Sequence, residues 1–177
     1  MRRLSLLPRL ACLALLVTLA ASCGPKRNEF APPCPHPIFL KDLSDLIRYR
    51  PGSAGRDLTD VELRARLVAL NGRCEAGSVE GMLDTQVQVS IEMFRGPGMQ
   101  GRLTDVPIFL AVLDGQDIIN KQIFPVQFQF PDNVDRATIS TPPLVLVLPV
   151  APGKSGASYT IVAGFQLTPE DRANNAR

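Results

Sequence analysis

The chain has 177 residues, 45% hydrophobic and 20% charged, with one His, no Trp, 13 Gly and 16 Pro. Its length suits one core rather than two ordinary domains. A single His excludes any site that needs two imidazoles from one chain, and a formal net charge of +2 excludes a strongly basic nucleic-acid binder.

Residues 1–9 carry Arg2, Arg3 and Arg9 and no acid, and residues 10–21 are apolar apart from Thr18. A charged start, a short apolar run and then small residues is the order of a secretory signal peptide. Twelve apolar residues make a helix of about 18 Å, short of the roughly 20 residues that a bilayer core of about 30 Å demands. The segment Leu19-Ala20-Ala21-Ser22-Cys23 resembles the lipobox of bacterial lipoproteins. The resemblance implies cleavage before Cys23, which then carries covalent lipid, and a signal peptide spanning 1–22. The alternative is an ordinary cleavage site with a chance Cys beside it. Several acyl chains at about 0.8 kcal/mol per buried CH₂ make a stable anchor. Gly24 stands where an Asp would resemble an inner-membrane retention signal. This favours the outer membrane with the domain facing the periplasm; the outer leaflet of the inner membrane is the alternative. Without residues 1–22, 16 basic residues face 17 acidic ones, so charge alone implies no partner and no nucleic acid.

Residues 23–37 read as the lipidated Cys and a tether. Pro25, Pro32, Pro33, Pro35 and Pro37 favour extended polyproline II, a semi-rigid spacer in which His36 is solvated. With Cys12 in the signal and Cys23 lipidated, Cys34 and Cys74 are left as a pair, which in an exported protein reads as a disulfide. Cys34 and His36 do not have a usual zinc spacing.

Residues 38–57 are ambiguous. Ile38-Phe39-Leu40 suits a short strand, while Leu43, Leu46 and Ile47 have the i, i+3, i+4 spacing of one or two helical turns. Arg48, Tyr49, Arg50, Arg56 and Asp57 then crowd one region. They are candidates for a partner-binding loop; local ion pairs are the competing explanation.

From 58 to 168 the period becomes two. Val61, Leu63, Ala65 and Leu67 alternate with Glu62, Arg64 and Arg66, which would share one face of a strand. Asn71-Gly72 predicts a turn. Val87, Val89, Ile91 and Met93 form a second alternating run, closed by Gly96-Pro97-Gly98. Val106–Leu113 is apolar on both faces and predicts a central strand. Further runs follow at Ile118–Phe124, Val126–Phe130, Leu144–Leu148 and Tyr159–Leu167, separated by Asp114-Gly115, Pro131-Asp132-Asn133 and Pro142-Pro143. The tail, 169–177, is polar and predicts fraying or a single helical turn. About seven strands without intervening long helices predict an all-β fold, a single immunoglobulin- or fibronectin-III-like β-sandwich, with a small β-barrel as the alternative.

Taken whole, the chain resembles small, uncharacterised envelope lipoproteins of proteobacteria. The likeness rests on the lipobox, Cys34 and Cys74, Gly55-Arg56-Asp57-Leu58-Thr59-Asp60, and Gly164-Phe165-Gln166-Leu167-Thr168. It implies a localisation and a fold, not an activity.

No catalytic residue and no metal ligand is assigned. Gly96–Gly101 lacks the strand-to-helix transition of a phosphate loop, and a Ser nucleophile would have no His outside the tether. Asp114-Gly115-Gln116-Asp117 and Asp132-Asn133-Val134-Asp135 could offer oxygens to calcium but do not match an EF-hand loop, and they already suit turns. The expected function is therefore that of a lipid-anchored, non-catalytic accessory subunit or protein-interaction module of the cell envelope, with no cofactor beyond the lipid on Cys23. A ligand-binding module for a sugar, peptide or lipid is the alternative; an envelope hydrolase is the third reading.

Overall fold

The structure is a computed structural model, which describes residues 33–53 and 57–175. The signal segment, Cys23, the tether up to Pro32 and Arg56 lie outside the described residues.

The fold is an all-β sandwich. Eleven strands are described rather than about seven, because several are only three to five residues long. The backbone of one layer is a hairpin of two long strands, β3 (Val61–Ala76) and β4 (Met82–Arg95), paired antiparallel. Their alternation sends Val61, Leu63, Ala65 and Leu67, with Leu83, Val87, Val89, Ile91 and Met93, into the core. β2 (Asp45–Tyr49) extends the layer beside β3. β9 (Arg136–Ser140) and β10 (Leu144–Pro149) both pair with β4, at its two ends.

Two local expectations fail in this layer. Leu46 and Ile47 belong to strand β2 and not to a helical turn; the only helical piece nearby is a 3₁₀ turn at Lys41–Leu43. Leu46 is 2% exposed opposite Ala65, so pairing with β3 outweighs the local spacing. Asn71-Gly72 does not turn the chain. Both residues lie inside β3, opposite Gln88 and Val87, and the reversal comes after Ala76, where Gly81 takes φ +76°. A register shift between Leu67 and Ala69 leaves Val68 unpaired. That one extra residue changes which parity faces inward, so Leu70 and Cys74 pack against the core.

The second layer has the order β1-β11-β6-β7. β6 (Ile108–Asp114) lies between β11 (Tyr159–Phe165) and β7 (Asp117–Phe124), the interior position its unbroken apolar run predicts. β1 (His36–Phe39) joins the edge, parallel to β11, so His36 and Pro37 are strand and not tether. Leu40 N–H donates to Ala163 O on the same ladder. The even-numbered amides therefore face β11, and Pro37, which has none, faces the open side. β5 (Leu103–Asp105) and β8 (Gln127–Gln129) form a separate two-stranded ribbon.

Between the layers runs one continuous core, in which Leu46, Leu63, Ile91 and Met93 join Ile108, Leu110, Ile161 and Phe165. Each such side chain contributes about 1.5–3 kcal/mol when fully buried. Tyr159 keeps its hydroxyl satisfied by donating to Pro149 O at 2.7 Å. Cys34 and Cys74 are disulfide-bonded, with Cα atoms 5.7 Å apart. The bridge ties Cys34, two residues before β1 of one layer, to the far half of β3 in the other.

The chain closes with helix α1 (Pro169–Asn175), longer than the single turn expected. Its start is capped reciprocally: Asp171 N–H donates to Thr168 Oγ1 at 3.0 Å, and Thr168 N–H donates to Asp171 Oδ2 at 3.1 Å. Pro169 sits at the first helical position, where its missing N–H costs nothing.

Candidate functional site

The outer face of the β2-β3-β4-β9 sheet carries a cluster of charged side chains around an exposed Phe94. Because β3 alternates, Arg64 and Arg66 point outward while Leu63, Ala65 and Leu67 point inward. Register then fixes their neighbours. One row across the sheet is Asp45, Arg66, Glu92 and Thr138; the next is Ile47, Arg64, Phe94 and Arg136. Seven of these, with Leu46 and Ala65, line an open trough of about 560 Å³.

The first row is electrically satisfied. Arg66 Nε donates to Asp45 Oδ1 at 2.6 Å, and Arg136 on the adjacent row reaches Glu92 Oε1 at 2.7 Å. The hydrogen bond to Asp45, reinforced by that carboxylate's charge, raises the Arg66 pKa above its ordinary value. Two arginines and two carboxylates thus cancel. The second row differs. Arg64 is flanked by Ile47 and Phe94, and among the described residues its side chain makes no hydrogen bond or ion pair. Phe94 is 43% exposed. On its other side, Arg64 and Phe94 line a second recess of about 330 Å³ with Leu58, Thr59, Val61 and Pro97.

The sheet edge bordering this face is closed by α1. Asn175 Oδ1 accepts from Ile47 N–H at 3.0 Å, and Asn175 Nδ2 donates to Asp45 O. One side-chain amide therefore takes the two backbone groups that an added strand would use. Asp171, 3% exposed, lies 3.4 Å from Arg48 Nε and helps hold the helix there.

Of the residues singled out from the sequence as a partner-binding loop, Arg56 lies outside the described residues and the others lie on β2 and beside it. Arg48 and Tyr49 lie on β2. Arg48 bonds Asp171 and Asp105 O, Arg50 is paired with Asp60, and Asp57 precedes the 3₁₀ turn Leu58–Asp60. Sequence reasoning placed Arg64 and Arg66 on one polar strand face but did not single them out. The signal was the alternation itself; their cross-strand neighbours could not be read from it. Of the two acidic turns considered for calcium, Asp114 pairs with Lys154, and Asp132 and Asp135 lie near Arg102. Among the described residues no group of three or more His, Cys, Asp or Glu side chains is arranged to hold a metal ion. Among the same residues no helix is long and apolar enough to cross a membrane.

No protein-family model matches the chain, and no curated protein or solved structure matches it.

Proposed function

We propose that this chain is a lipid-anchored, periplasm-facing interaction module, a non-catalytic accessory subunit of the bacterial envelope that engages a protein partner through the outer face of its five-stranded sheet. The observation that carries the reading is that face. It is broad, built on paired strands and open, and it presents an exposed aromatic beside an exposed arginine, Arg64, that makes no ion pair among the described residues. Aromatic and Arg side chains are the residue types that dominate protein interfaces. The lipobox and the proline-rich segment support the anchor and the spacer.

Two experiments test it. Cys23→Ser should move the protein from the membrane to the soluble fraction; a variant that still sediments with membranes contradicts the anchor. A photocrosslinking residue at Thr138, which is exposed on β9 opposite Glu92, should capture one near-stoichiometric envelope protein in intact cells. The same residue at Ile118, on the other sheet, should not. Equal or absent adducts from both positions contradict the interaction face.

The size of the trough favours a second reading as a small-ligand module, since about 560 Å³ lies within the roughly 300–1,000 Å³ of such sites. A small molecule released on denaturing the purified native protein, and detected by mass spectrometry, would move that reading ahead.

A further inference from the structure

We infer that the outer face of the β1-β11-β6-β7 sheet rests on the lipid bilayer that holds the chain, with the exposed isoleucines of β1 and β7 buried just below the headgroups. The inference rests on the lipid anchor at Cys23. It adds a second, direct contact with the same membrane, on the side of the sandwich opposite the protein-binding face.

The composition of that face comes first. Alternation points Ile108, Leu110, Ile161 and Phe165 into the core. Phe109, Ala111 and Val162 therefore point outward, where they form an apolar cluster separate from the core. Register sets Ile38 of β1 beside Val162, and Ile118 and Ile123 of β7 beside Leu113 and Phe109. The extra residue at the register shift of this pair is Ile119. These four isoleucines are 39–65% exposed, and Leu40, which continues β1, is exposed as well. Charge is sparse. Among the described outward positions of the four strands, the ionisable side chains are His36 and Lys121, and Lys121 folds its Nζ over the Phe109 ring, 4.5 Å from the centroid. Asp114 and Asp117 stand opposite each other in the row of Tyr159, which faces inward. Lys41 and Asp42, on the 3₁₀ turn at the rim, offset each other in sign. The face therefore takes apolar matter and does not recognise its occupant through ion pairs.

Its size and the course of the chain select the occupant. Four strands about 4.8 Å apart, the central two of seven residues, make a face on the order of 450 Å². An exposed apolar patch of this size marks an interaction site. It is about half of the roughly 800 Å² per partner in a stable protein interface, too little to hold a second copy. A bilayer needs no such area when the chain is already tethered to it, because docking is then intramolecular. From Cys23 to Pro33 the chain reaches at most about 35 Å. Pro33 O lies where a Cβ on Gly156 would stand, so the chain enters at the His36–Thr160 end of this same sheet. From β1 across to β7 the face is about 14 Å wide. The lipid on Cys23 therefore has ample reach for the whole face to lie flat on the membrane. The long stem of Lys121 carries its charge to headgroup level while the isoleucines around it go deeper.

The chain has no Trp, so a single introduced one reports on one place. The full lipidated chain is reconstituted on phosphatidylcholine vesicles with and without bromine on the upper acyl carbons, which quenches a Trp in contact with it. Ile118→Trp and Ile123→Trp should emit at shorter wavelength on vesicles than in detergent-free solution of the Cys23→Ser chain, and should lose emission to the brominated lipid. Thr138→Trp, on the outer face of the other sheet, should do neither. Ile123→Asp in the Ile118→Trp background should lower the docked-to-free ratio read from quenching by at least about fivefold, the scale of withdrawing one half-exposed isoleucine from lipid. All these positions are exposed, so the variants should keep the wild-type melting profile. The inference is overturned if brominated lipid leaves Ile118→Trp and Ile123→Trp undimmed, if it dims Thr138→Trp as strongly, or if Ile123→Asp changes nothing. Blue-shifted emission without quenching overturns it in favour of a second copy, since this chain is the only protein on the vesicle. Failure of the lipidated chain to sediment with the vesicles sinks the anchor itself; a chain that sediments with both isoleucine variants undimmed sinks this inference alone.

Discussion

Replacing both Cys34 and Cys74 by Ala removes the covalent link between the two layers. The bridge spans 40 positions of sequence. In the chain-entropy model, closing such a loop restricts the unfolded chain by about 4 kcal/mol. For a domain of this size, 1 kcal/mol corresponds to roughly 3–5 °C in Tm, interpolating between smaller and larger domains. The double variant should therefore melt roughly 12–20 °C below wild type in scanning calorimetry. Wild type treated with a reductant should fall to the same value. The structure also says where the loss begins. β1 is a four-residue edge strand held by one ladder to β11, and Cys34 is two residues before it. Amide exchange at Ile38 and Leu40, which face β11, should accelerate before that of β6 or β11. A Tm within about 3 °C of wild type, with those two amides still protected, would refute the argument, because it would mean that the ladder alone fixes β1.

Asn175→Ala removes both bonds to β2 and leaves Ile47 N–H without its acceptor; it should cost about 2 kcal/mol in the urea midpoint with the m-value unchanged, and Asn175→Asp, which keeps the acceptor, about half of that. Gly96→Ala should destabilise by about 3 kcal/mol, because the new methyl would lie 2.0 Å from Val61 O, a backbone atom that cannot yield. Lys154 is paired with Asp114, and chiefly through that hydrogen bond its pKa is raised above the ordinary 10.5. A raised folded-state pKa means that the pair's stabilisation is complete below 10.5 and is lost as pH climbs through the raised value. Lys154→Met should therefore lower Tm at pH 7–9, and the difference should shrink at strongly alkaline pH; an equal difference across the whole range would count against the pair.

The candidate face was half legible from the chain. Glu62, Arg64 and Arg66 alternate with buried Leu63 and Ala65, which places the cations on the outside of a strand whatever that strand pairs with. What makes Arg64 distinctive is its company, and that is a matter of register. Ile47 and Phe94 come from strands 17 and 30 positions away in sequence, and one step of slippage would have set other residues beside it. Helix α1 had a local signal that was underused: Thr168-Pro169-Glu170-Asp171 combines a capping residue, a proline at the first helical position and a reciprocating carboxylate.

The all-β class followed from period-two alternation and the lack of long helical stretches, and the disulfide from the pair of cysteines left once Cys12 and Cys23 are set aside. These are properties of composition and short windows, so the sequence alone determined them. The tertiary structure decided whatever depended on distant partners. It drew Leu46 and Ile47 into a strand, ran β3 straight through Asn71-Gly72, and used the extra residue Val68 to turn Cys74 inward. It also used Asn175 to close the edge of β2. In each case the local preference is worth about 1 kcal/mol or less, while a buried side chain or a satisfied backbone group is worth as much or more. The larger, long-range term prevails, and it cannot be read until the strands have met.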